Sequence, residues 1–136
     1  MRPAQAGTAA ALAWAALEPF DRRLVGVDYS DVAMLGKFVT RSRAWPVAGL
    51  ALHAANGAAF GIAASRLRRR VSPLTLALAE STVLFPLIAV VDRRHPARGE
   101  AGLAPAFNVR GFALETLRHA AFGAALGALL RRRTGV

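Results

Sequence analysis

The chain has no cysteine among its 136 residues, so disulfides, thiolate metal sites and cysteine nucleophiles are excluded. Lysine is nearly absent. Lys37 stands alone against seventeen arginines, a bias that reads as base composition of the coding sequence rather than as function. Acidic residues are few, and eight Asp and Glu against eighteen Lys and Arg leave a net charge of +10. The short catalytic signatures GxSxG, GxxxxGK, GxGxxG and HExxH do not occur. Ser65, Ser72 and Ser81 have no histidine close to them in sequence. A basic protein that binds nucleic acid interleaves its cations with aromatic rings, and no such interleaving is present, which argues against a nucleic-acid partner.

What the chain does have is apolar surface. Hydrophobic residues make up 54% of it and the mean hydropathy is positive, unusual for so basic a chain. The two facts agree because the arginines gather at the ends of long apolar stretches. Residues 3–17, 44–65, 71–91 and 111–130 each read as a membrane-crossing helix. The first is short for a bilayer core of about 30 Å but acceptable as a thin or tilted span. Glu18-Pro19-Phe20 follows it where a leader peptide would have a clean cleavage site, so it reads as an uncleaved span. Pro86 is expected to kink the third span. Between the spans, 21–43 is a connection in which Ser30-Asp31 caps a short amphipathic helix carrying Leu35, Phe38 and Val39 on one face, expected on the membrane surface. Residues 92–110 form a second polar connection, with Pro96 and Pro105 against regular structure.

One stretch occurs twice. The nine residues from His53 to Gly61 return at His119 to Gly127 with seven identities, and arginines follow each copy, Arg68, Arg69 and Arg70 after the first and Arg131, Arg132 and Arg133 after the second. His, Gly and Gly at i, i+4 and i+8 share one helix face. The expected architecture is therefore an all-α integral membrane protein, a single four-span domain over 1–136. Four transmembrane helices are arranged as two tandem, parallel helical-hairpin repeats, 3–70 and 71–133. In that scheme the stripes Gly57/Gly61 and Gly123/Gly127 approach each other as a central GxxxG pair.

The same scheme brings ionisable groups to one level. At about 1.5 Å of rise per residue, His53 and His119 lie roughly 14 Å from one membrane face and Glu80 roughly 14 Å from the other, all near the midplane. With Asn56 and Glu115 they are the candidate intramembrane polar cluster. Glu115 can pair with Arg118 or His119 on its own helix, and Arg118 can reach outward to the membrane surface. The plain reading is mutual hydrogen bonding that fixes helix register. A second reading is haem b held by His53 and His119 as axial ligands, although a close glycine contact leaves no room for a porphyrin. A divalent metal on His53, His119 and Glu80, or a proton, ion or small-molecule carrier using these groups, are further alternatives.

In general character the chain resembles the small, Ala- and Arg-rich four-span proteins of bacterial membranes, without a motif that carries functional residues over. The sequence thus implies a multi-pass protein of the cell inner membrane, non-enzymatic, acting as a scaffold or accessory subunit with no cofactor required. The arginine triplets would contact anionic lipid headgroups, and a larger membrane complex or a homo-oligomer is the implied assembly. Cations divide eight to ten between the two sides. The eight are concentrated in short segments on the side of the termini, which places both termini in the cytoplasm.

Overall fold

A computed structural model describes residues 1–131, so Arg132 and Arg133 lie outside the described residues. Within them the chain is all-helical: α1 (Pro3–Val25), α2 (Asp31–Val39), α3 (Trp45–Leu67), α4 (Pro73–Arg94) and α5 (Val109–Arg131). Each start has a local cause. Pro3 and Pro73 occupy first-turn positions where a missing N–H costs nothing. Gln5 accepts the Arg2 backbone N–H, Ser30 and Ser72 cap α2 and α4, and Asn108 accepts the Gly111 N–H to cap α5. Gly26 ends α1 with φ 72°, a left-handed conformation that glycine adopts at no steric cost.

α1 continues well past the expected end near residue 17, through Glu18, Pro19, Asp21 and Arg22. Charge does not stop the helix because Glu18 and Asp21 are satisfied by other parts of the chain: Ser30 and the Asp31 N–H hold Glu18, and Arg118 holds Asp21. α4 likewise runs on through Pro86. The helices α3 and α4 are long and apolar enough to cross a membrane.

α1 stands at the centre, packed on α3 along one side and on α5 along the other, while α4 covers α5 and barely meets α3. Gly61 faces Pro3 while His53 reaches the Ala11 carbonyl, so α3 runs against α1. Phe122 meets Trp14 and Arg118 meets Asp21, so α5 also runs against α1 and hence parallel to α3. The expected central glycine pair does not form. Gly57 and Gly61 pack on Gly7, Ala11 and Pro3 of α1, and Gly123 packs on Pro73, Leu74 and Ala77 of α4. The reason is that α1 and α4 carry small or ring-closed residues at the same four-residue spacing, Pro3/Gly7/Ala11 and Pro73/Ala77/Ser81. They therefore offer each glycine stripe a partner on an adjacent helix. α3 and α5 meet only through larger side chains such as Phe60 on Phe122.

The two connections are not loose. α2 lies across the start of α3, backbone against backbone at Gly36 and Gly49. The 95–108 segment closes over α2, with Ser30 N–H on Gly102 O, Ala104 N–H on Asp28 O, and a single bridge from Tyr29 to Leu103. Buried Lys37 donates to Ala101 O, lies over the Trp45 ring and pairs with Glu100, which Arg41 also holds. Val27, Tyr29, Ile88, Ala97, Leu103 and Leu114 form a small core of their own beneath this cap. The expectation of a surface-lying amphipathic helix is met only in part: Phe38 and Val39 are exposed, but Ala33, Gly36 and Lys37 are buried in the cap.

Two expectations follow. A Cβ at Gly7 would strike the Gly57 carbonyl, and one at Gly49 the Val32 carbonyl, whereas at Gly127 it meets only ordinary contacts of 3.7 Å or more. Gly7→Ala and Gly49→Ala should each lower the thermal stability of the detergent-purified protein, by about 1–3 kcal/mol. Gly127→Ala should be neutral or raise stability by up to ~1 kcal/mol through helix propensity. The second expectation concerns acid. The Lys37 ammonium that hydrogen-bonds Glu100, with Arg41 beside it, holds this carboxyl below the usual carboxylate range. A depressed folded pKa means the contribution is complete above the unfolded value of about 4.3 and is lost as pH falls through the lower folded value. In a Trp14→Phe background, Trp45 emission should therefore shift on acidification below about pH 4, and Glu100→Gln should abolish that transition.

Candidate functional site

Arg118 sits about two-fifths of the way along α5 with a side chain only 1% exposed. Its Nε and Nη2 donate to both oxygens of Asp21 at 2.8 Å, the bidentate geometry that suits a guanidinium. Nη1 donates to Asp31 at 3.0 Å and to Glu115 at 3.4 Å, and Nη2 also reaches the Tyr29 carbonyl at 3.0 Å. All five N–H groups of the side chain are thereby engaged. One residue ties α1, the connection after it, α2 and α5 together. The expectation that Arg118 reaches outward is overturned, because Asp21 and Asp31 converge on it from distant parts of the chain and Glu115 from the preceding turn of its own helix.

One helical turn further along α5 from Glu115 is His119, whose Nδ1 donates to the Glu115 carbonyl at 2.8 Å. Its Nε2 lies 3.9 Å from the Glu80 carboxylate of α4, and Glu115 Oε2 is 3.9 Å from Nδ1. On α3, His53 donates through Nε2 to the Ala11 carbonyl at 3.1 Å. The Trp14 indole packs against both imidazoles, its centroid 5.3 Å from His53 and 4.8 Å from His119, each edge to face. Trp14 therefore sets the two histidines at one level of the bundle. Each ring has one nitrogen committed to a main-chain carbonyl, and the indole lies against both, an arrangement unlike two imidazoles facing each other across one iron. Among the described residues no group of three His, Asp or Glu side chains is assembled as a metal site.

These groups line a cleft of about 430 Å³ between α3 and α4, floored by α1 and α5 and closed at one end by α2. Asn56 stands at its exposed edge and Glu80 on its opposite wall, half-buried. Rings of Trp14, Tyr29, Phe60, Phe85 and Phe122 face the same space. Buried Ser81 and the Trp14 N–H, both in the lining, have no hydrogen-bond partner. The helix-packing glycines Gly57, Gly61, Gly123 and Gly127 belong to the helix contacts described above, with only Gly57 touching the cleft. Arg68, Arg69 and Arg70 are exposed in the turn between α3 and α4, and Arg131 closes α5.

Sequence reasoning placed His53, His119, Glu80 and Glu115 together, and the fold brings them into one neighbourhood with Asn56 at its rim. It foresaw the pairing of Glu115 with Arg118 but missed Trp14, Ser81 and the more distant acid partners of Arg118, Asp21 and Asp31. The cue for the last was available: an arginine inside an apolar helix needs carboxylates, and Asp21 and Asp31 lie in the first connection with no cation assigned to either. No protein-family model, curated protein or solved structure matches this chain. The functional argument therefore rests on this geometry.

Replacing Arg118 by Met leaves Asp21 and Asp31 with no cation in a nearly solvent-free site. Arg118→Met should cost about 3–5 kcal/mol of stability in chemical denaturation, whereas exposed Arg110→Met should stay within about 0.5 kcal/mol. Equal effects at the two positions would mean the guanidinium does not organise the fold.

Proposed function

We propose that the chain is a multi-pass protein of the cell inner membrane, crossing it four times with both termini in the cytoplasm. We further propose that it acts without catalysis, as a small scaffold or accessory subunit. The observation that carries this is where the apolar surface lies. α3 and α4 are the most apolar of the long helices, yet about half of each is exposed, with Val47 and Val83 each 73% accessible and Leu50, Leu87 and Val90 beside them. A water-soluble domain would turn those faces inward. α1 and α5 are not apolar enough along their length to qualify as spans by composition. Glu18, Asp21, Glu115 and Arg118 are however turned into the protein, where Arg118 meets Asp21 and Glu115 and Glu18 is held by Ser30 and the Asp31 N–H. Leu12, Leu17, Phe112 and Leu117 meanwhile face outward. Such inward pairing is how a span tolerates ionisable groups.

The duplicated stretch supports two related hairpins, α1 with α3 and α4 with α5, each sealed by a glycine stripe. The arginines of the α3–α4 turn would rest on anionic lipid headgroups of the cytoplasmic leaflet. A larger complex or a homo-oligomer would use the exposed apolar faces. Histidines anchored to main-chain carbonyls suit a structural role better than haem ligation, which would require Trp14 to move aside.

The absence of cysteine makes the topology directly testable. Single Arg2→Cys, Arg69→Cys and Arg98→Cys variants are labelled with an impermeant maleimide from either side of sealed vesicles. Four spans place Arg2 with Arg69 and opposite Arg98. If only α3 and α4 cross, Arg2 labels together with Arg98. Release of the protein by alkaline carbonate would overturn the membrane reading altogether.

A further inference from the structure

We propose that the cleft between α3 and α4 is a binding site for an apolar organic cation of drug size. Four independent features point to that chemistry. First, the lining contains three carboxyls, Asp31, Glu80 and Glu115, and no Lys or Arg. Second, Asp31 and Glu115 are already engaged by Arg118, but Glu80 is not, and the nearest basic atom to it is His119 Nε2 at 3.9 Å. It is the acidic group in the cleft left without a full cation. Third, the rings of Trp14, Phe60, Phe85 and Phe122 share the cavity with that carboxyl, and aromatic faces attract cations through their quadrupole. Fourth, Ser81 is 2% exposed, lines the cleft and has no hydrogen-bond partner among the described residues, so its hydroxyl is left uncommitted by the chain itself.

The remaining properties fit the same class. About 430 Å³ lies in the range of small-molecule pockets, and the lining is mostly apolar with a few polar groups. Four carboxyls, Glu18, Asp21, Asp31 and Glu115, surround the single guanidinium of Arg118 at the inner end of the cleft, so the local field opposes anions. A phosphate-headed lipid would find no cation in the lining, and the guanidinium of Arg118 behind it is already fully engaged. Because α3 and α4 barely meet, the cleft is open along the side that the membrane reading turns toward lipid, where apolar cations concentrate. The route of entry rests on that reading; the binding chemistry does not.

Two probes of one shape and opposite charge isolate the claim. Tetraphenylphosphonium and tetraphenylborate each present four phenyl rings around a central atom. Equilibrium dialysis of radiolabelled tetraphenylphosphonium against the full-length protein in a non-ionic detergent should show saturable binding that tetraphenylborate does not displace. Glu80→Gln should weaken the binding at least tenfold while circular dichroism stays unchanged, and Glu80→Asp should recover part of it. Displacement by both ions alike, or undiminished binding by a folded Glu80→Gln protein, would overturn the site. Should Glu80→Gln fail to fold, the wild-type comparison of the two ions decides alone. Carbonate extraction is scored separately, so a protein that stays in the membrane but ignores the cation defeats this inference and not the topology.

Discussion

The bidentate pairing of Arg118 with Asp21 is the contact on which the arrangement of helices depends. A guanidinium removed from water is tolerable only when its fork is matched by oxygens at short range, and here every N–H finds one. The acceptors come from α1, the residues just after it, α2 and α5. Satisfying one side chain therefore fixes the angle of α1 against α5 and draws the first connection over their end. Without it, neither close glycine contact nor apolar burial would specify which helix α1 should lie beside, because both glycine stripes offer the same small-residue surface.

The division of labour follows from that node. Glu18 and Asp21 on α1 and Glu115 and Arg118 on α5 are turned inward and engaged, so the charges these helices expose lie at their ends. The most apolar of the long helices, α3 and α4, need not form the core and are left on the outside. This inverts the ordinary order of a soluble bundle, in which the most apolar helix is the most buried. Close packing between neighbours is supplied by backbone contact at Gly7, Gly36, Gly49, Gly57 and Gly61 instead of by large side chains. Van der Waals fit of this kind does not require water as a driving medium, which is consistent with the proposed setting.

The helices themselves were legible in the sequence, since runs of apolar residues bounded by arginines, prolines and capping serines leave little choice of where α3, α4 and α5 begin and end. The partners were not. Residue spacing tells which side chains share a face, as with Gly57 and Gly61, but it says nothing about which helix that face meets. The pairing with Pro3, Gly7 and Ala11 depended on a weaker stripe whose meaning emerges only beside its partner. Arg118 was harder still. Its near neighbours Glu115 and His119 suggested a local solution, whereas the oxygens that dominate its environment lie 87 to 97 positions away in sequence. The cap had no single strong signal, being assembled from backbone hydrogen bonds between two connections that look merely polar when read separately.

The contrast between Arg118 and Glu80 is the last step. Both are ionisable groups carried in the middle of apolar helices, and the fold treats them oppositely. Arg118 is nine-tenths hidden and fully engaged, as a structural charge must be. Glu80 is half-buried, its carboxylate lies 3.9 Å from His119 Nε2, and among the described residues its side chain forms no hydrogen bond. Replacing it by an apolar residue would remove a desolvation penalty without breaking any side-chain hydrogen bond or Lys/Arg ion pair of the described residues. A group that costs stability and fixes nothing in the chain itself makes physical sense if its counterpart comes from outside. The rings and the unpartnered Ser81 hydroxyl around it describe what that counterpart would be.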